Sequence, residues 1–215
     1  MATFDLEEQE QIDEAKLWWK QHGQKVIWGV TLFLLAVAGW RAWETWNRNQ
    51  SAEASMTFER AIQAISMNDV KTAKAATAQI MENQKFYQTG WAAYGTPAAW
   101  LAGRLNYDQN DLKSARAQYQ FALDHARDDG MKQLARLRLA GVLYEDKDSD
   151  GALALLNAPF DPAFSGLAAQ LQGDILAAQG KTAEAKAAYQ KAIEGLGEKS
   201  SLKPLVEMRL DALGG

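Results

Sequence analysis

The 215-residue chain has no cysteine, four prolines and two histidines, and each scarcity removes a class of function. Without cysteine there is no thiol nucleophile and no residue to acylate as a lipoprotein anchor, although the redox compartment stays open. His22 and His125 lie far apart in the sequence, which leaves no metal constellation. The formal net charge is −4, with no polybasic stripe to neutralise phosphates, so nucleic acid is not expected as a partner. No segment alternates with period two, and no low-complexity tract suggests disorder. The stretch ending in Gly180-Lys181-Thr182 imitates a phosphate loop. Six residues separate Gly173 from Gly180 where that loop needs four, and the stretch falls between helical segments instead of after a strand. No nucleophile elbow surrounds any serine. The chain reads as a non-enzyme without a cofactor.

What the sequence does have is one long apolar run. From Val26 to Trp40 there is no charge, a helix of about 22 Å against a hydrocarbon core of about 30 Å. The flanks supply the missing length. Six of the eight tryptophans, Trp18, Trp19, Trp28, Trp40, Trp43 and Trp46, lie in or beside the run, where indole rings favour the boundary between headgroups and acyl chains. Lys25 and Arg41 can bury their methylene stems and lift their charges to that boundary. Trp19, Lys25, Trp40, Arg41 and Trp43 are therefore the expected interface anchors of a single span at about Gly23 to Trp43, in contact with membrane lipid.

A cleavable signal and a buried core helix are the competing readings. Ala36-Val37-Ala38 fits a cleavage site but sits inside the run, and the preceding segment is acidic instead of a short basic leader. Lys16, Lys20 and Lys25 precede the span while Arg41 and Arg48 follow it, a small excess that favours a cytoplasmic N-terminus. The expected division is a cytoplasmic acidic tail at 1–22, a transmembrane helix with its interfacial flank at 23–46, and a domain on the far side at 47–215. Asn47 to Ser51 is expected as a polar hinge. In the tail, Ile12, Ala15 and Trp19 share one helical face, either exposed or available for docking.

After residue 51, alanine-rich segments of helical period alternate with turns, and three of them align. These are "GRLNYDQNDLKSARAQYQFAL" from Gly103, "AGVLYEDKDSDGALALLNAPF" from Ala140 and "GDILAAQGKTAEAKAAYQKAI" from Gly173. Each starts with a small residue, turns seven to eight residues later, has alanine at +12 (Ala115, Ala152, Ala185) and a large residue at +16 (Tyr119, Leu156, Tyr189). The offsets of 37 and 33 bracket the tetratricopeptide period of about 34. Small residues would let two antiparallel helices approach while the large one fills the gap between hairpins. A divergent fourth hairpin at 52–83 would place Ala61, Ala73 and Thr77 correspondingly, and "KFYQTGWAAYG", with Phe86, Tyr87, Trp91 and Tyr94, would be the apolar joint after it. "SLKPLVEMRLDALGG" reads as a C-terminal capping helix with Ser201 near its start. The fold class is all-α: one N-terminal transmembrane helix, then an α-solenoid of tetratricopeptide-like hairpins with a C-terminal cap.

In such a stack the first helix of each hairpin lines a concave face, with exposed positions at i, i+4 and i+7. That spacing selects Trp100, Arg104 and Tyr107, then Leu137, Gly141 and Tyr144, then Gln170, Asp174 and Ala177 as the candidate binding residues. Tyr107 and Tyr144 fall at equivalent places. Rigid amphipathic rings beside an arginine suit a peptide held without one demanded side-chain sequence, whereas the alternative is that Trp100 and the tyrosines pack between helices.

The order "EAKLWWKQHG", a span ending in "GWRAW", "SAEASMTFERAIQAI", "YGTPAAWLAGRL", "GDILAAQGKTAEAKAAYQKAI" and "PLVEMRLDALG" resembles the YfgM family of bacterial inner-membrane proteins. The likeness runs over nearly the whole chain and rests on the combination of segments, since each alone is a generic helical hairpin. The resemblance implies an ancillary subunit of the SecYEG translocon with a periplasmic tetratricopeptide-like domain. It further implies association with a PpiD-like membrane-anchored periplasmic chaperone and a role in passing exported polypeptide clients to periplasmic chaperones. A scaffold that binds one fixed envelope partner through the same hairpins is the alternative.

Overall fold

The computed structural model describes residues 3–83 and 90–214. All regular structure among these residues is helical: α1 (Thr3–Ser66), α2 (Val70–Asn83), a 3-10 turn (Gly90–Ala93), α3 (Gly95–Asp108), α4 (Leu112–His125), α5 (Asp129–Glu145), α6 (Ser149–Leu156), α7 (Pro162–Ala178), α8 (Thr182–Gly195) and α9 (Lys203–Ala212). The chain divides after Gln50 into two compact units.

The first unit is the N-terminal part of α1. Ile27, Trp28, Leu32, Phe33, Leu34 and Leu35 are all exposed on it, and its apolar window, of mean hydropathy 1.6, has no residue buried. A core helix would hide this surface, so that reading fails. Among the described residues α1 is the one helix long and apolar enough to cross a membrane. Trp19, Lys25, Trp40, Arg41 and Trp43 are all exposed along it, and the Trp19 indole also lies over Gly23, where an added Cβ would stand 2.9 Å from the ring. The expected hinge at 47–51 is helical instead. Neither glycine nor proline occurs between Gly39 and Gly90, so nothing there breaks the backbone pattern, and Arg48 pairs with Glu44 one turn back.

The second unit is built from hairpins with one kind of turn. Asn68, Asn110, Lys147 and Gly180 each adopt φ between 57° and 72°, and the next residue donates its amide to a carbonyl five residues back: Asp69 to Ala64, Asp111 to Asn106, Asp148 to Leu143 and Lys181 to Leu176, at 2.8–2.9 Å. This 6→1 bond satisfies the last carbonyls of the first helix. In three of the turns the same next residue caps the second helix. Asp69, Asp111 and Asp148 accept from the amides of Thr72, Ser114 and Gly151, at 3.1, 3.1 and 2.9 Å. Hydrogen bonds from the Ser114 side chain and amide hold the Asp111 carboxyl below the ordinary carboxylate range. The divergent first hairpin shares this turn, and its Ala61, Ala73 and Thr77 are buried as the repeat requires.

Within each hairpin the large residue at +16 lies over the small residue that opens the same repeat. A Cβ added at Gly103 would sit 2.8 Å from the Tyr119 ring, and one at Gly173 would sit 2.6 Å from the Tyr189 ring. The middle hairpin uses the smaller Leu156 with the larger Ala140, both buried. In the hairpins of Gly103 and Gly173 the contact is thus inside the hairpin, where the sequence pattern suggests a filler between neighbours. A second close approach joins α7 to α8, where a Cβ at Gly166 would meet the Gly195 backbone at 2.7 Å.

Between hairpins, Trp91 is buried with Ala54, Ile80 and Ala98, and the Phe58 and Tyr94 rings lie 5.5 Å apart, forming the expected joint. Phe86 and Tyr87 lie outside the described residues. The loop before α7 is held by α5: Gln133 donates to the Asp161 carboxylate and accepts from its amide, and Arg136 donates to the Pro159 carbonyl and covers the Phe160 ring at 3.8 Å. At the C-terminus, α9 packs on α8 through Val206, with Pro204 in its first turn. Leu202 occupies its N-cap, with Ser201 just before it.

Two glycine substitutions should have opposite signs in the thermal unfolding of the purified chain. Gly141 has nothing within 4 Å of an added Cβ, so Gly141→Ala is expected to stabilise by about 0.5–1 kcal/mol through lost backbone entropy. Gly166→Ala drives a methyl into backbone that cannot rotate away. It should cost about 1–3 kcal/mol, a fall in Tm of roughly 2–12 °C.

Candidate functional site

Helices α3, α5 and α7 present successive stripes to one open groove of about 610 Å³. From α3 come Arg104, Tyr107 and Asp108 at i, i+3 and i+4. From α5 come Leu134, Leu137, Arg138, Gly141 and Val142, and from α7 come Leu167, Gln170, Leu171 and Asp174. Tyr119 of α4 and Leu202, just ahead of α9, complete the lining.

Arg104, Tyr107, Leu137, Gly141, Gln170 and Asp174, all selected from the sequence, meet in this groove. Trp100, Tyr144 and Ala177 do not line it. Trp100 and Tyr144 are half-buried against the core cluster of the central hairpins, and Ala177 is half-buried against the C-terminal one. The reason is geometric. The groove crosses the helices obliquely, so its lining moves from the C-terminal end of α3 to the middle of α5 and α7, and equivalent repeat positions do not stay equivalent in exposure. Tyr107 keeps 40% exposure at the groove while its counterpart Tyr144 packs inward. Arg138 was not among the residues selected from the sequence, because it lies three residues before Gly141, the repeat counterpart of Arg104. Leu134, Leu167 and Leu171 carried a signal, since each extends a selected column by three or four residues.

The polar groups of the groove are differently constrained. Arg104 pairs with Asp108 at 3.6 Å in an exposed i,i+4 contact. Asp174 accepts from the Tyr189 hydroxyl at 2.8 Å, and both its oxygens accept from the Arg209 guanidinium at 2.5 Å. That bond network ties α7, α8 and α9 together. Burial, reinforced by the bond to Asp174, raises the Tyr189 hydroxyl well above its ordinary value. Burial likewise pushes Tyr119 up to about 12, and burial followed by the Glu145 and Asp108 charges raises Tyr107. All three rings are therefore neutral donors at physiological pH. No serine, threonine or histidine lines the groove, and no group of acids and histidines among the described residues is placed to hold a metal.

A family model described as a tetratricopeptide repeat-like domain matches residues 16–215. A protein of Neisseria gonorrhoeae named an ancillary SecYEG translocon subunit is 30% identical over 97% of this chain and 98% of its own length. The chain belongs to the YfgM family. Proteins of the same name from Haemophilus influenzae, 29% identical over 88% of this chain and 90% of their own, and from Escherichia coli, 26% identical over 96% of both, are similar to it as well. The family match begins at residue 16 and so takes in the apolar part of α1 together with the hairpins. In this YfgM-family chain, one family model thus covers both the apolar helix and the hairpins.

The clasp on Asp174 gives a test of how α9 is held. Arg209→Gln would leave the carboxylate with Tyr189 as its one strong donor. Charge-assisted bonds of this kind are worth about 1.5–3 kcal/mol when shielded, and exposures of 34% and 22% reduce that to about 1–2 kcal/mol. The expected outcome is a fall in Tm of roughly 2–8 °C, with faster amide exchange confined to α9. Unchanged melting and exchange would mean that α9 is held by its apolar face alone.

Proposed function

We propose that this chain is a single-pass type II protein of the bacterial inner membrane. Residues 1–22 lie in the cytoplasm, 23–46 form the span and its interfacial flank, and 47–215 lie in the periplasm beside the SecYEG translocon. The groove there receives segments of exported polypeptides, which pass on to periplasmic chaperones, including a PpiD-like membrane-anchored one. The observation that carries this reading is the open groove of leucines, tyrosines and arginine, in a chain whose relatives are named as translocon subunits over nearly their whole length. The lysine excess before the span supports the orientation, because loop Lys and Arg bias topology while a long C-terminal domain is translocated largely regardless of its charge.

Function as an interaction module follows from the chemistry of the lining. Leucine walls take up apolar side chains without demanding one shape, and the tyrosine rings add contact area at little entropic cost. The absence of a nucleophile or of a paired acid and base in the lining favours binding over catalysis. An open groove releases its occupant readily, as a handover requires.

The test is site-specific photocrosslinking in cells, with a photoreactive residue in place of Tyr107 or Arg138 and, as a control, of the exposed Glu184 on α8. Adducts of Tyr107 and Arg138 with translocon or chaperone subunits and with a range of exported chains are expected. One dominant envelope protein would favour the scaffold reading. Silence at both positions while Glu184 crosslinks would remove the groove from the account.

A further inference from the structure

Four charged side chains line the groove, and their pairing is unequal. Asp174 is held by Arg209 and Tyr189, and Asp108 faces Arg104. Arg138 enters no ion pair or hydrogen bond among the described residues. Inside the groove the acids are thus matched while one guanidinium is not, and that guanidinium lies one helical turn from Leu134 and beside Leu137 on α5.

We propose that the groove takes a polypeptide segment in which a carboxylate side chain is flanked by aliphatic residues. Arg138 receives the carboxylate, and Leu134, Leu137, Leu167 and Leu171 receive the aliphatic side chains. The Tyr107 hydroxyl keeps its proton and is a second donor to the carboxylate. The inference rests on the reading of the groove as a polypeptide site and adds the chemistry of what it prefers. Charge complementarity selects this occupant over a purely apolar segment, which would leave the Arg138 guanidinium beside leucines and uncompensated on binding. It also disfavours basic segments, which would meet the unmatched Arg138.

The experiment uses the full-length chain in detergent micelles and two short fluorescein-labelled peptides, one with leucines on either side of a single glutamate and the other with glutamine in its place. Fluorescence anisotropy should show the glutamate peptide binding roughly tenfold tighter at low salt, the size of one charge-assisted contact. The preference should shrink at about 1 M salt, where the screening length is near 3 Å. In Arg138→Gln the two peptides should bind alike, at the affinity of the glutamine peptide for the wild type, with thermal unfolding unchanged to show that the fold is intact. Arg138→Lys should keep part of the preference. Equal affinity of the wild type for both peptides overturns the inference and leaves the groove a polypeptide site. Failure of both peptides to bind overturns the inference and, joined to silent crosslinking at Tyr107 and Arg138, the reading it rests on.

Discussion

Two helices can lie as close as α3 to α4, or α7 to α8, only where one of them offers no side chain at the crossing. Gly103 and Gly173 supply that gap, and Tyr119 and Tyr189 occupy it with ring atoms less than 3 Å from where a methyl group would stand. The ring that fills the gap also sets the next layer. Tyr119 lines the groove, and Tyr189 reaches across to Asp174 and through it to Arg209 of the terminal helix. One packing contact thus fixes the distance within a hairpin, positions part of the groove and helps to hold the cap. The repeat tolerates variation if the sum of sizes is kept, as the Ala140 and Leu156 pair does in the middle hairpin.

The first unit obeys a different solvent. Its apolar side chains point outward all round, an arrangement that water penalises at roughly 25 cal/mol per Å² and that hydrocarbon accepts. Tryptophans at both ends of the apolar run, with Lys25 and Arg41 able to reach out from it, are the arrangement a bilayer boundary favours. Turns capped by aspartate and closed by left-handed residues are instead the devices of a domain in water, where exposed helix ends need their own hydrogen-bond partners. The change from one set of devices to the other falls near residue 50, where the two units divide.

Much of this was legible in the sequence because it depends on local spacing. The repeat of small and large residues announced the hairpins, and the polar turns marked their ends. The segment at 47–51 stays helical because polar residues alone do not end a helix, and neither glycine nor proline lies there to interrupt the backbone bonds. Part of the groove escaped because a single column of repeat positions was followed straight across helices that the groove crosses at a slant. Trp100 and Tyr144 therefore went to the core cluster, and Arg138 went unnoticed. The clasp between Asp174 and Arg209 spans 35 residues and leaves no local pattern that would betray it.

The measurement that tests this account most directly is a double-mutant cycle on the first complete repeat, with Gly103→Ala, Tyr119→Leu and the pair together followed by thermal or denaturant unfolding of the purified chain. The pair reproduces in α3 and α4 the alanine and leucine that the middle hairpin already uses. Each single change should destabilise, the alanine by overpacking and the leucine by loss of ring contacts, and the double variant should be more stable than their sum by about 1 kcal/mol or more. Simple additivity would contradict this, because glycine and tyrosine would then not be the two halves of one contact.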